Sequence, residues 1–185
     1  MNRIFAIVFF GIAGILVWTT SCQKEEVFDT SPNLKLKFST DTVMFDTVFT
    51  KICSVTRDLR VYNPSDKAVK INSIEVAGGE SSNFEVNVDG VSGTSFDNVE
   101  IQPKDSMYVF VRVTVDTNNQ NLPFVCQNSI RFRVNNNLQD VDLVAWGQNA
   151  HFHQNTLLRG PHVWQNDKPH VIYGYVVVDD TLNSS

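Results

Sequence analysis

Apolar and polar residues alternate along most of the chain between residues 34 and 149. In the clearest stretch every second residue is apolar: Met107, Val109, Val111, Val113 and Val115. The same period of two occurs in residues 55–61, 130–134 and 141–145. Successive side chains of a strand point to opposite faces, so this pattern is typical of antiparallel strands with one face on a core and one in water.

Weaker apolar runs predict further strands in residues 34–38, 42–50, 68–77, 84–88 and 98–101. In residues 68–77 the apolar phase slips between Ile71 and Ile74, which predicts a β-bulge or a short break. Turn residues such as Asn63-Pro64 and Asp89-Gly90 separate the runs. Eight or nine short strands with no helical period favour an all-β fold, an Ig-like antiparallel β-sandwich over residues 34–149.

Composition supports this fold class and excludes one class of partner. The chain of 185 residues has 26 valines against 6 alanines and 10 leucines, and β-branched residues favour strands over helices. Its 15 basic and 20 acidic residues give a net charge of −5. Because the basic residues are not concentrated anywhere, we expect no nucleic-acid partner.

The N-terminus has the pattern of a secretion signal. A positive head is followed by an apolar run over residues 4–18, which is shorter than the ~20 residues that span a bilayer. Thr19, Thr20, Ser21 and Cys22 follow, and this segment resembles the lipobox of bacterial lipoproteins. The resemblance implies removal of residues 1–21 and lipidation of Cys22 by a diacylglyceryl thioether and an acylated amine. An uncleaved anchor with an incidental cysteine is the alternative.

The residues after Cys22 bear on the location of the protein. Lys24, Glu25 and Glu26 resemble the surface-export tether of some Gram-negative lipoproteins, which implies the outer face of the outer membrane. The alternatives are an ordinary solvated charge run and a periplasmic structural lipoprotein. Residues 27–33 contain Asp29, Ser31 and Pro32 and complete a predicted tether over residues 22–33.

Two further resemblances concern the body of the chain. Residues 59–65, 71–74 and 84–86 resemble the Ig-like modules of abnormal-spindle and hydin-type proteins. Residues 35–153 more closely resemble the N-terminal, choice-of-anchor-like module of exported lipoproteins that continue into a right-handed parallel β-helix. These motifs imply fold and placement rather than chemistry.

The last residues resemble the opening rung of such a β-helix. Residues 150–185 are predicted to form an incomplete first rung, with a strand over residues 171–178. Solenoid repeats generally need about three units for stability. We therefore expect a strand without its neighbours, exposed as an aggregation-prone edge unless it folds back on the sandwich. A shortened form of a longer lipoprotein would explain the pattern.

Few residues suggest a reactive or ligand-binding site. Cys53 and Cys126 could form one disulfide in an exported protein, and two unpaired cysteines are the alternative. His151 and His153 could face one metal ion, with His162 and His170 nearby, but only Asp167 is placed to complete a set, so we expect no metal and no other cofactor. No nucleophile or phosphate-binding motif occurs, so we expect no enzyme.

Aromatic residues cluster towards the C-terminal end. Trp164, Tyr173 and Tyr175 could contact a glycan, and core packing against a following rung is the alternative explanation. The sequence therefore predicts a non-catalytic, lipid-anchored cell-envelope protein whose Ig-like module serves as a surface stalk or adhesion platform. Its partners would be the membrane, through the lipid, and surface glycans or other envelope proteins. A glycan-binding protein associated with polysaccharide degradation is the rival.

Overall fold

The structure, a computed structural model, describes residues 27–50, 52, 54, 56–115 and 124–179. Twelve strands lie in these residues: β1 Lys37–Phe38, β2 Thr42–Phe49, β3 Arg57–Tyr62, β4 Val69–Val76, β5 Phe84–Val88, β6 Val91–Gly93, β7 Ser95–Ile101, β8 Ser106–Val113, β9 Phe124–Val134, β10 Asn137–Gln148, β11 His151–Arg159 and β12 His170–Asp179. A short 3₁₀ helix, Gly79–Ser81, precedes β5.

The first ten strands form two five-stranded sheets. Their orders are β1-β3-β8-β5-β6 and β2-β10-β9-β4-β7. The pairs are antiparallel except for β2 and β10, which run parallel at one edge of the second sheet. The predicted all-β sandwich is confirmed, with this parallel pair as an addition. Alternation along a strand does not reveal the direction of its neighbour, so the sequence pattern could not show the parallel pair.

The alternating residues form the core between the two sheets. Leu59, Val109 and Val111 of the first sheet are fully buried, as are Ile130 and Phe132 of the second. Aromatic rings also contact each other across the sandwich. The ring centroids of Phe38 and Phe132 lie 4.9 Å apart, and those of Phe45 and Phe84 lie 6.0 Å apart. The period of two therefore corresponds to burial on the inner face of each sheet.

The predicted irregularity in β4 is a register shift. The pairing of β4 with β9 slips between Ile71 and Ser73, which brings both Ile71 and Ile74 into the core. An extra residue at this point changes which face each following side chain occupies. The bulge that the slipped apolar phase predicts is confirmed.

A buried asparagine fastens one end of the sandwich. The Nδ2 of Asn63 donates to the carbonyl oxygens of Lys67, Ile101 and Gln102 at 2.8, 3.1 and 2.9 Å. Its Oδ1 accepts from the amide of Ser65 at 2.8 Å. One side chain thus holds the β3–β4 turn against the β7–β8 turn, and its polar atoms are satisfied although the residue is only 2% exposed.

Part of the predicted tether is held against this same end. Phe28 forms a parallel bridge with Ala68, and the amide of Asp29 donates to the Ala68 carbonyl at 2.8 Å. The Nδ2 of Asn137 donates to the carbonyls of Pro32 and Leu34 at 2.6 and 2.8 Å. Residues 28–34 therefore follow the surface of the sandwich.

The last two strands, β11 and β12, pair in parallel as a separate two-stranded sheet, which we call the ribbon. Residues 171–178 form a strand, as the sequence predicts, but that strand is not without a neighbour, because β11 pairs with it. No residue from 150 to 179 is buried. In the described part of the chain, no helix is long and apolar enough to cross a bilayer.

Candidate functional site

The ribbon brings together residues about 19 positions apart in the sequence. His151 pairs with His170 and His153 with Ile172. After a register shift between Gln154 and Thr156, Thr156 pairs with Val176. Paired residues project from the same face of a sheet, so the two strands present matching side chains side by side.

Both strands turn at the register shift. Asn155 has φ 45° and Gly174 has φ 79°, which are left-handed values. A Cβ at position 174 would overlap Oδ1 of Asn155. Only glycine fits there, because it accepts the positive φ and leaves room for the asparagine side chain. The two strands therefore bend together at one corner.

Before the corner, three imidazoles and one indole are stacked; we call His151, His153, Trp164 and His170 the aromatic stack. The ring centroids of Trp164 lie 4.6 Å from His153 and 4.4 Å from His170. His170 lies 4.7 Å from His151 and 5.1 Å from His153. The stack holds the connection between the strands, which carries Trp164, against one face of the ribbon.

Hydrogen bonds fix the orientation of two of these rings. Nε2 of His170 lies 2.7 Å from the carbonyl oxygen of Gln165, so this nitrogen carries the proton and donates. In the neutral ring, Nδ1 of His170 is then an acceptor. Nε2 of His153 lies 2.8 Å from it and donates. The geometry thus selects one tautomer for each ring.

The third histidine holds a carboxylate. Nε2 of His151 lies 2.7 Å from Oδ1 of Asp167, and Nζ of Lys168 lies 4.0 Å from Oδ2. The hydrogen bond from His151 is the main cause that lowers the pKa of Asp167 below its ordinary value. Among the described residues, no group of three His, Cys, Asp or Glu side chains is arranged to hold a metal ion.

The three aromatics predicted to contact a glycan do not share one face of the ribbon. Trp164 lies in the stack beside His153, which pairs with Ile172. Tyr173 follows Ile172 and therefore projects from the opposite face, where it borders a pocket with Phe45 and Arg57. Tyr175 follows the corner glycine and is 58% exposed. The glycan contact stays a prediction.

Large apolar side chains of the ribbon are open to solvent. They are Phe152, Leu157, Ile172, Tyr173, Tyr175, Val177 and Val178. Isolated exposed apolar residues are common on protein surfaces, whereas these seven lie on two paired strands and are divided between both faces of the ribbon. The outer edge of β12 also pairs with no strand among the described residues.

Several predicted residues lie outside the described part of the chain. They are Cys22, Lys24, Glu25, Glu26 and Cys53. Cys126 is described, is half-buried and forms no disulfide with a described residue, and burial raises the pKa of its thiol. Its pairing with Cys53, like the lipidation and export signals, stays a prediction.

The sequence pattern placed His170 near His151 and His153 but missed Gln165 and Asn155 as parts of the same site. A repeat with an offset of 19 residues was the available signal, since it aligns His151 with His170 and Asn155 with Gly174. The offset is difficult to detect because it occurs once and matches few residue types.

Comparison with known proteins gives no family. No family model and no curated protein matches the chain. A family 123 glycoside hydrolase from Clostridium perfringens has a TM-score of 0.43 at 8% identity, over 66% of this chain and 30% of that one. A tip adhesin from Pseudomonas aeruginosa also has a TM-score of 0.43 at 8% identity, over 62% and 42%. A protein of unknown function from Porphyromonas gingivalis has a TM-score of 0.40 at 10% identity, over 66% and 59%.

Proposed function

We propose that this protein is a non-catalytic, lipid-anchored module of the outer membrane of a Gram-negative bacterium, exposed at the cell surface. In this proposal the sandwich is a rigid spacer and the ribbon is the element that engages other molecules. The observation that carries it is the position of the ribbon, at the end of the sandwich opposite to the point where the N-terminal segment is bound.

Strand β10 defines these two ends. Its first residue, Asn137, binds the carbonyls of Pro32 and Leu34, and its last residue, Gln148, lies three residues before His151 of the ribbon. A strand rises about 3.3 Å per residue, so the two ends of β10 are roughly 36 Å apart. A lipid on Cys22 would therefore lie near one end of the sandwich, and the ribbon would extend from the other.

The chain between the lipid and the sandwich would be short. Phe28 is already bridged to Ala68, which leaves six residue steps between Cys22 and the sandwich. An extended chain spans at most about 3.5 Å per residue, so the sandwich would be held within roughly 21 Å of the lipid. The height of the ribbon above the membrane would then depend mainly on the sandwich and less on the linker.

The open ribbon supports an interaction role. It exposes apolar side chains and an unpaired strand edge, which are features that natural proteins usually cover. A further parallel strand added to β12, as in a β-helix, would cover both the edge and part of the apolar surface. An envelope protein that adds a strand to β12 would cover the same edge and surface.

The location is tested on intact cells. A Cys22→Ala variant should no longer incorporate labelled palmitate and should leave the membrane fraction. Added protease should cleave the wild-type chain on intact cells. Replacing Lys24, Glu25 and Glu26 by alanine should protect the chain without removing it from the membrane. If protease already fails to reach the wild-type chain on intact cells, the protein faces the periplasm and the surface role is wrong.

A glycan-binding role is the second candidate, and the exposure of Trp164, Tyr173 and Tyr175 favours it. Aromatic side chains supply large contact areas with few rotatable bonds. Glycan-array binding that is lost in Trp164→Ala would support this role. Equal, weak signals from all glycans for both proteins would leave the spacer role as the better proposal.

A further inference from the structure

The sandwich has a cleft, formed by residues that are distant in sequence from the ribbon. The ladder between β5 and β8 stops at the pair Val88–Val109, while β8 begins three residues earlier, at Ser106. The turn at Asp89 and Gly90, strand β7 and the start of β8 border this open cleft, whose volume is about 790 Å³. Small-molecule sites commonly occupy about 300–1,000 Å³, so the cleft could hold an entire small ligand.

An aromatic pair forms one side of the cleft. Tyr108 and Phe110 are alternate residues of β8, and both line the cavity. They are 46% and 44% exposed, their ring centroids lie 6.0 Å apart, and their planes differ by 12°. The solvent face of such a strand is normally polar, and stability of the core does not require two large rings there.

This aromatic surface already contacts one cation of the protein itself. Cζ of Arg60 lies 5.2 Å from the ring centroid of Tyr108. Arg60 pairs with Tyr108 across the β3–β8 ladder, and its Nε donates to Oγ of Ser106 at 2.9 Å, so the guanidinium lies at the β3 side of the cleft. The contact has the geometry of a cation–π interaction, in which the negative ring face attracts positive charge.

Among the described residues, the charged side chains that line the cleft are all acidic, while Arg60 contacts its edge through Tyr108 and Ser106. Asp89, Asp97 and Glu100 line it, and none of the lining residues is Lys or Arg. Glu100 is 3.5 Å from Nζ of Lys70, which lies outside the cleft, whereas Asp89 and Asp97 form no ion pair with a described residue. The carboxylates disfavour an anionic ligand, and in the described residues no cluster is arranged for a metal ion.

We propose that this cleft binds a small organic cation, an alkyl- or quaternary-ammonium compound. Its apolar groups would lie against Tyr108 and Phe110, and Asp89 and Asp97 would balance its charge. Aromatic rings beside carboxylates suit an ammonium group, because the rings accept both its alkyl surface and its charge. This site is separate from the ribbon and does not depend on the role proposed for the ribbon.

Choline and its neutral isostere 3,3-dimethylbutan-1-ol differ in charge but hardly in shape. We would titrate each into the full chain in a non-ionic detergent and follow the amide NMR signals. Choline should shift the signals of Asp97 and Tyr108, and the neutral isostere should bind at least about fivefold more weakly. Butylammonium chloride serves as the primary-ammonium probe. Absence of shifts with both cations, or equal binding of choline and its isostere, would overturn the proposal.

Variants test whether choline binds in this cleft or at other exposed aromatic and acidic residues. Phe110→Leu retains apolar area but removes the ring, and Asp97→Asn removes one charge; each should weaken choline binding about three- to tenfold. The matched controls, Tyr175→Ala on the ribbon and Asp140→Asn on β10, should leave binding unchanged. Unchanged urea midpoints would show that all four variants fold. Equal losses in the variants and their controls would contradict a site in the cleft.

Discussion

Nε2 of His153 lies 2.8 Å from Nδ1 of His170, and this contact joins two strands whose residues are 17 positions apart. Nε2 of His170 donates to the carbonyl of Gln165, so in the neutral ring Nδ1 of His170 accepts from Nε2 of His153. The same ring thus connects β11, β12 and the segment between them. The ribbon has no buried core among the described residues, so this polar and aromatic contact is one of the local links that hold the segment in place.

His170→Phe tests this link. The variant retains a ring for stacking but removes both nitrogens, so two hydrogen bonds of about 1 kcal/mol each are lost. We expect the amide of His151, which bonds to the Pro169 carbonyl, to exchange with solvent roughly tenfold faster. His162→Phe is the control, because His162 lies outside the stack and its Nε2 is 2.9 Å from the Arg159 carbonyl oxygen. Unchanged exchange in His170→Phe would mean that stacking alone holds the segment.

The contact between His151 and Asp167 should depend on pH. The pKa of Asp167 is lowered mainly by the hydrogen bond to His151. A lowered carboxyl pKa stabilises the fold above the unfolded value of about 3.9, and this contribution is lost as the pH falls through the folded pKa. In a carboxyl-carbon NMR titration, His151→Ala should move the Asp167 midpoint upwards.

Asp29 provides an internal control for that titration. The pKa of Asp29 is also lowered, but the main cause is the hydroxyl of Ser65. Its midpoint should therefore stay the same in His151→Ala and rise in Ser65→Ala. Parallel movement of both midpoints in either variant would contradict the assignment of separate causes.

Gly174→Ala should disrupt the corner of the ribbon. The new Cβ would meet Asn155 Oδ1, in addition to the strain of a positive φ. We expect faster amide exchange at Thr156 and Val176. Gly90→Ala isolates the strain alone, because its φ is 83° and a Cβ there meets nothing within 4 Å. A second change, Asn155→Gly, should restore part of the protection in Gly174→Ala; no rescue would show that the overlap is not the cause.

The sequence predicts the sandwich better than it predicts the ribbon and the N-terminal segment, for a physical reason. Residues 84–88 form a strand with the predicted bounds, because a buried face requires strict alternation. Strand β11 was missed because its exposure pattern changes phase at Asn155, where the backbone turns, and because neither face is buried. Alternation of apolar and polar residues reflects the burial of one face of a strand. A strand with no buried face therefore shows little of this alternation.

The binding features depend on contacts that local sequence does not encode. Asp29, Ser31 and Pro32 have the composition of a linker, yet Asn135 and Asn137, more than 100 residues away, bind the backbone of this segment. The ammonium cleft likewise combines a turn, an edge of one sheet and the start of a strand in the other. Sequence could indicate each part, but only the packing of the two sheets brings the parts together.

Asn63 should be important for the stability of the sandwich. Removing its amide in Asn63→Ala leaves three carbonyl oxygens without this donor at a buried position. We expect a loss of about 2–3 kcal/mol in the free energy of unfolding, measured in urea. Asn83→Ala, which removes one exposed bond to Thr114, should change it by less than about 0.5 kcal/mol. Similar losses in both variants would argue against a special role for the buried Asn63 side chain.

Removing the ribbon should leave the sandwich stable and make it more soluble. None of residues 150–179 is buried, so a chain that ends at Ala150 keeps every described residue of the core. It also loses the exposed apolar side chains and the unpaired edge of β12, which favour association between copies. We therefore expect a urea midpoint close to that of the full chain and less aggregation in light scattering. If the shortened chain is less soluble than the full one, then the ribbon covers apolar surface of the sandwich, and a role as an open interaction element is wrong.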